Sequence, residues 1–185
     1  RYRILKRLGK GGMGEVHLAE DMEMDDRLVA IKVLPPELAG KPKAVESLRV
    51  EAMTAIDLTH PNIIRLYDLH SHGDVKFVVM EYVDGQTLED KIADSDGGKL
   101  SLAETLGIME KVAAALDYAH RRKPPVFHRD VKPSNIMIAK DGDVKLLDFG
   151  IAREMKDSYT RITGKQDTSG TLPYMSPEQV RGKKP

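Results

Sequence analysis

Cysteine is absent from this sequence, which excludes disulfides, thiolate nucleophiles and zinc sites of the cysteine type and fits a reducing interior. Long apolar runs are also absent: a stretch such as Phe77–Met80 is far below the roughly 20 residues needed to cross a bilayer. Charge of either sign is not in excess, since 29 Lys and Arg balance 29 Asp and Glu. Arg1-Tyr2-Arg3 leads into mixed residues rather than a signal peptide. We therefore expect a cytoplasmic chain of 185 residues with no membrane segment and no nucleic-acid partner.

Among the residues that are present, the segment Phe127–Asn135 carries the most chemistry. Pro133 prevents a regular helix there, so the segment is predicted to be a loop that presents its polar groups. Asp130 can accept the proton of an attacking hydroxyl, and Lys132 can stabilise charge on a transferred phosphoryl group. Asn135 can offer its carbonyl oxygen to a metal ion. This spacing predicts phosphoryl transfer, in which catalysis is mostly positioning and electrostatic stabilisation.

A second carboxylate, Asp148, follows the apolar run Val144–Leu147 and precedes Phe149 and Gly150. The pattern predicts a metal-binding carboxylate at the end of a strand. Together, the His-Arg-Asp segment with its asparagine and the later Asp-Phe-Gly resemble the protein kinase family, whose motifs are H-R-D-L-x-x-x-N and D-F-G. Val131 stands where that family usually has leucine.

Near the start, Gly9, Gly11 and Gly14 have the spacing G-x-G-x-x-G. Dinucleotide-binding folds use the same spacing to open a helix, but the residues from Glu15 to Ala19 alternate like a strand. A Walker loop is disfavoured because no Gly-Lys-Ser/Thr follows. We therefore predict a hairpin whose backbone amides lie over phosphates. The resemblance implies that the nucleotide-contacting part of this hairpin consists of Gly9, Lys10, Gly11, Gly12, Met13 and Gly14.

A strand predicted at Val29–Leu34 carries Lys32 among apolar residues, where a lysine is costly unless it is paired. In the protein kinase family, the lysine of such a strand contacts the α- and β-phosphates and pairs with a glutamate on the next helix. That helix is predicted here at about 43–58. Glu51 is the expected partner of Lys32, and Glu46 is the rival.

The apolar periodicity of the strand predicted at Lys76–Glu81 stops before Asp84. The resemblance implies that this is a hinge between two lobes. Met80 is then the gatekeeper at the back of the nucleotide pocket, and the Glu81 carbonyl and the Val83 amide bind the adenine edge. The apolar side chains expected around the adenine ring are Val16, Ala30 and Met137.

A capping box of Ser101 and Glu104 predicts a helix that continues to about His120. Its core stripe is predicted from apolar residues at helical spacing. These residues are Leu102, Leu106, Met109, Ala113, Leu116 and Ala119. A small hairpin is predicted from strands at 136–138 and 144–147.

Polar residues from Arg153 to Gly170 show no periodicity. The resemblance implies that they form an activation segment, with Ser176 in place of the alanine of the family's closing A-P-E. Thr163 and Thr168 are the candidate phosphorylation sites, because a phosphate there could pair with Arg129 beside the catalytic aspartate.

Taken together, the motifs predict an α+β, bilobal protein-kinase fold. Residues 1–83 are expected to form a lobe with a five-stranded antiparallel sheet and one helix. Residues 84–185 are expected to form the first part of a mainly helical lobe. The sequence motifs are most similar to those of the bacterial serine/threonine kinases. This resemblance implies ATP and Mg²⁺ as cofactors and proteins with serine or threonine acceptors as substrates. It also implies self-association for autophosphorylation.

The last residue, Pro185, lies only seven positions after Glu178, whereas the family fold continues with further helices. We therefore expect a fragment of a kinase domain. In the bacterial kinases that it resembles, the kinase domain is often anchored by a membrane helix beyond its C-terminus, and the resemblance implies such an anchor for the full-length parent. One alternative is an ATP-binding or scaffolding module without catalysis. A dinucleotide-dependent enzyme is a third hypothesis, which depends only on the glycine spacing.

Overall fold

A five-stranded antiparallel sheet occupies the first half of the chain in the computed structural model, which describes residues 1–11, 14–35, 42–149 and 172–181. The five antiparallel strands confirm the predicted sheet, and they lie in the order β1-β2-β3-β5-β4. Their bounds are β1 Tyr2–Gly11, β2 Gly14–Asp21, β3 Arg27–Val33, β4 Leu66–His72 and β5 Val75–Glu81.

Helix α1, Pro42–Ile56, packs against one face of this sheet. Its contact residues Ala52 and Ala55 are fully buried and lie in one apolar cluster with Leu66 and Val78. Small side chains on the helix allow its backbone to approach the sheet closely, and the larger strand residues fill the space between them. The helix thereby covers β4 and β5 on one face of the sheet.

Short strands and helices alternate in the second half of the chain. A three-stranded antiparallel sheet has the order β6-β7-β8, and it includes a strand at 85–87 that the sequence did not predict. The bounds are β6 Gly85–Thr87, α2 Leu88–Ala93, α3 Leu102–His120, β7 Ile136–Ala139, β8 Val144–Leu146 and α4 Pro177–Val180.

Helix α3 begins with the predicted capping box, in which the Ser101 hydroxyl accepts the Glu104 N–H and the Glu104 side chain accepts the Ser101 N–H. The predicted core stripe was wrong for most of its members: Leu102 is 75% and Leu106 is 60% exposed. The buried residues of the helix are Ile108, Val112, Ala115 and Ala119. Except for Ala119, which was predicted, these lie one position before predicted residues, and one position corresponds to a rotation of roughly 100° around the helix. Both stripes are apolar at helical spacing, so only packing against β8 and its neighbours chooses between them.

The segment before β4 joins the two sheets. Ile63 forms a parallel bridge with Leu146, the Ile64 N–H donates to the Leu146 carbonyl at 2.9 Å, and the Leu146 N–H donates to the Asn62 carbonyl at 2.9 Å. Residues 62–64 therefore pair with β8, and β4 begins only at Leu66. The end of β8 is thereby fixed close to the five-stranded sheet.

Candidate active site

Two predicted catalytic-loop side chains, Lys132 and Asn135, converge on the Asp130 carboxylate. Lys132 Nζ lies 3.3 Å from Asp130 Oδ2. The Asn135 side-chain amide donates to the Asp130 carbonyl oxygen at 2.7 Å and to Asp130 Oδ2 at 3.1 Å. A short 3-10 turn at Pro133–Asn135 brings the asparagine back over the loop. Because Asp130 is only 8% exposed, these contacts fix the direction of its carboxylate.

His128 connects this loop to the residue before Asp148. Its Nδ1 accepts the Asp130 N–H at 3.2 Å, so Nε2 carries the proton and donates to the Leu147 carbonyl at 2.6 Å. The ring is 2% exposed and lies edge-on to Phe149, with 4.7 Å between the ring centroids. Burial lowers the pKa of His128, which keeps the imidazole neutral and both hydrogen bonds intact. The sequence motif contained this histidine, but its connecting role was not predicted.

Lys32 and Asp148 form the second charged cluster. Lys32 Nζ lies 3.0 Å from Asp148 Oδ1 and 2.9 Å from Oδ2. Asp148 has a left-handed backbone with φ of 57°, and the preceding Leu147 N–H donates to the Asn135 carbonyl at 2.9 Å. The two clusters are therefore parts of one site, joined through backbone groups of Leu147.

Asp148 and Asn135 provide oxygen ligands of the kind that magnesium prefers. The N–H groups of the Asn135 amide are engaged by Asp130, so its carbonyl oxygen is the atom that can serve a cation. Within the described parts of the chain, no cluster of three or more His, Cys, Asp or Glu could hold a metal. One carboxylate and one amide oxygen fit an ion that also binds phosphates and water, as Mg²⁺ does at nucleotide sites.

The glycine-rich stretch forms the predicted hairpin and not the start of a helix. Gly9 pairs with Val16, Lys10 with Glu15 and Gly11 with Gly14. Lys10 Nζ lies 3.0 Å from the Glu15 carboxylate, and this contact lowers the pKa of Glu15. Gly14 has a φ of 114°, and a Cβ there would lie 2.0 Å from the Val33 carbonyl oxygen. The hairpin therefore requires glycine at this position.

The residues predicted around the adenine ring lie on neighbouring strands. Val16 is opposite Lys32, and Ala30 is opposite Met80. Val83, just after β5, packs with Met80 and Leu147 on the cluster beneath α1. Met137 lies in β7, which pairs with β6 directly after the predicted hinge.

Glu81 at the end of β5 makes contacts that the sequence did not indicate. Its Oε1 lies 2.9 Å from Lys145 Nζ in β8, and its Oε2 accepts the Arg65 N–H at 3.1 Å. No local pattern links residues so far apart in the chain. This ion pair fixes the end of the five-stranded sheet against the three-stranded sheet.

Some predicted site residues lie outside the described residues: Gly12, Met13, Thr163 and Thr168. Glu51 belongs to α1, but its side chain is also outside what the structure describes. Its pairing with Lys32 stays a prediction.

Comparisons with known proteins agree on the family that the site geometry suggests. The family model described as protein kinase domain matches residues 2–185 of this chain. The chain is 44% identical over 182 residues to the serine/threonine-protein kinase PrkC of Bacillus subtilis, covering 98% of this chain and 27% of that protein. It is 43% identical over 186 residues to the serine/threonine-protein kinase PknB of Mycolicibacterium smegmatis, covering 98% of this chain and 29% of that protein.

A solved structure of the Mycobacterium tuberculosis PknI kinase domain, a double mutant, is similar along the whole chain. Its TM-score is 0.77 at 30% identity, and the match covers 100% of this chain and 67% of that one.

The chain spans less than a third of the length of the curated relatives PrkC and PknB. Among the described helices, none is both long and apolar enough to span a bilayer.

Proposed function

The chain belongs to the protein kinase domain family, and from this premise we propose that it transfers the γ-phosphoryl group of ATP to serine or threonine hydroxyls of proteins. The observation that carries the proposal is the convergence of Lys132 and Asn135 on the Asp130 carboxylate. A fixed carboxylate, a cation and an amide in one loop are the groups that an in-line transfer requires.

Asp130 orients the acceptor hydroxyl and takes its proton. Lys132 Nζ, close to that carboxylate, stabilises the negative charge on the phosphoryl oxygens during transfer. Asn135 holds Asp130 through its N–H groups and offers its carbonyl oxygen to magnesium. Each of these side chains thus has a role that its contacts support.

Lys32 and Asp148 serve the phosphates of ATP. Lys32 would contact the α- and β-phosphates of bound ATP, and Asp148 together with Asn135 would hold magnesium. Bound magnesium would neutralise part of the charge on the phosphates. The glycine hairpin at 9–14 lies over the phosphates. Val16, Ala30, Met80 and Met137 enclose the adenine ring, whose edge binds the backbone of Glu81 and Val83.

The experiment is phosphate transfer from labelled ATP, with magnesium, to a generic basic protein. We expect Asp130→Asn to lower the transfer rate about 10²- to 10⁴-fold while ATP binding persists, because the amide cannot accept a proton. Asp74→Asn is the matched control, since Asp74 is an exposed residue of the β4–β5 turn. Equal rates for the parent and Asp130→Asn would contradict the assigned role. ATP binding without transfer by the parent would favour the alternative of a non-catalytic nucleotide-binding or scaffolding module.

Regulation is proposed to act through phosphorylation of Thr163 or Thr168 by a second copy of the chain, with Arg129 as the partner of the phosphate. Mass spectrometry of the chain after incubation with ATP tests this. We expect phosphate on at least one of these two threonines, at a rate that rises with protein concentration. Phosphate confined to other residues would exclude both sites. We also propose that this activity is cytoplasmic, where ATP is available as the phosphoryl donor.

A further inference from the structure

The side chain of Gln179 in helix α4 is bound at both ends of its amide. Its Oε1 accepts the Ser176 N–H at 2.9 Å, and its Nε2 donates to the Arg129 carbonyl at 2.8 Å. Gln179 follows the Asp-Phe-Gly triplet by some thirty positions, yet it contacts the residue immediately before the catalytic aspartate. The sequence offered no signal for this contact.

The orientation of the Gln179 amide is determined by the start of its own helix. Ser176 and Gln179 form a capping box, in which the Ser176 hydroxyl also accepts the Gln179 N–H at 3.4 Å. Because Oε1 is engaged by an N–H group, Nε2 must be the atom that faces Arg129. A glutamate at position 179 could complete the same capping box, but it would direct a carboxylate oxygen at the Arg129 carbonyl.

The peptide group between Arg129 and Asp130 is thereby held from both sides. Gln179 binds its carbonyl oxygen, and His128 Nδ1 accepts its N–H at 3.2 Å. Arg129 has a φ of 65°, a left-handed conformation that is unfavourable for a residue with a side chain. Such a backbone persists only where its surroundings hold it, and these two hydrogen bonds act on the peptide that carries Asp130.

We propose that Gln179 is a positioning residue for Asp130, acting through the Arg129–Asp130 peptide, and that it couples helix α4 to the catalytic carboxylate. This proposal rests on the proposed phosphotransfer function. Gln179 makes and breaks no bond in the reaction. It sets the direction from which the Asp130 carboxylate meets the acceptor hydroxyl.

The discriminating variant is Gln179→Glu, which keeps the capping box and removes the donor to Arg129. We expect kcat for phosphate transfer to fall about three- to ten-fold, the effect of losing one ordinary hydrogen bond, while the KM for ATP is unchanged. Arg181→Gln is the matched control, because it also lowers the net charge by one, at an exposed residue that directly follows helix α4. It should leave kcat unchanged.

A second variant separates positioning from helix capping. Ser176→Ala removes the hydroxyl that accepts the Gln179 N–H, but it retains the backbone N–H that binds Oε1. Ser176→Ala should therefore lower kcat less than Gln179→Glu does. An equal or larger loss in Ser176→Ala would show that Gln179 acts only through its helix, and that result overturns the proposal.

Amide hydrogen exchange of Asp130, followed by NMR, provides a readout that does not depend on activity. In Gln179→Glu we expect this amide to exchange about three- to ten-fold faster at an unchanged melting temperature. If the parent chain transfers no phosphate, the phosphotransfer function fails, and the exchange rate still decides whether Gln179 holds this peptide. An exchange rate equal to that of the parent overturns the proposal.

Discussion

Lys32 and Asp148 lie 116 positions apart in the chain, and Lys32 Nζ is 2.9 Å from Asp148 Oδ2. The lysine belongs to β3 in the middle of the five-stranded sheet, and the aspartate follows β8 of the three-stranded sheet. Both side chains are mostly buried, at 8% and 20% exposed. This ion pair therefore joins the two sheets at the point where the phosphates of ATP are proposed to bind.

Removing the charge of Lys32 should abolish most of the activity. Lys32→Met takes away the cation that faces Asp148 and the phosphates, so we expect phosphate transfer to fall about 10²-fold or more. Lys6→Met, at an exposed lysine of β1, is the control for loss of a positive charge. The measurement is kcat/KM for ATP. A loss of less than threefold in Lys32→Met would argue against this assignment.

The stability of the chain should fall in mild acid because of His128. Burial lowers the pKa of His128 in the folded state, whereas in the unfolded state it lies near its ordinary value of 6.5. Below about pH 6.5 the unfolded state therefore binds more protons, and the free energy of unfolding decreases as the pH falls. The contribution of one such group reaches at most about 1.4 kcal/mol per pH unit.

Urea unfolding between pH 7.5 and 5 measures this dependence in the parent and in His128→Gln. The glutamine variant should be less stable at neutral pH, because it loses the contacts of the buried ring, but its stability should depend less on pH. Parallel curves for the two proteins would mean that His128 does not contribute to the acid sensitivity.

Two glycines should respond in opposite ways to substitution by alanine. A Cβ on Gly85 in β6 would lie 2.1 Å from the Ile138 carbonyl oxygen, so Gly85→Ala must displace β6 from β7. We expect a loss of about 1–3 kcal/mol in the free energy of unfolding. Gly107 is exposed within α3 and has open space around its Cα. Gly107→Ala should stabilise the chain by about 0.5–1 kcal/mol. Thermal denaturation of both variants tests the pair, and a stabilised Gly85→Ala would refute the close approach.

Features specified by neighbouring residues were predicted well from the sequence. The pairing of β1 with β2 at Gly11 and Gly14, the capping box at Ser101 and the loop around Asp130 depend on contacts within a few positions. Their glycines, caps and proline restrict the backbone locally, so the residue types alone indicate the structure. The five-stranded sheet also followed from the order of its strands and turns.

Features that depend on distant contacts were predicted less well. The short strand β6 exists because β7 pairs with it, and only Thr87 among its three residues favours a strand. The buried face of α3 was predicted wrongly because the helix carries two apolar stripes, and the packing of Ile108 and Val112 selects one of them. The Glu81–Lys145 ion pair likewise depends on where two separate sheets meet.

The sequence by itself determined which groups are available for the proposed chemistry: it contains Lys32, Asp130, Lys132, Asn135 and Asp148 in the order that the family uses. Only the tertiary structure decided how these groups are held. His128 ties the catalytic loop to Leu147, and Gln179 binds the carbonyl of Arg129. The physical reason is the range of the interactions. Side-chain chemistry and local backbone preference are properties of a few neighbouring residues, whereas these hydrogen bonds form only after packing brings distant segments within 3 Å of each other.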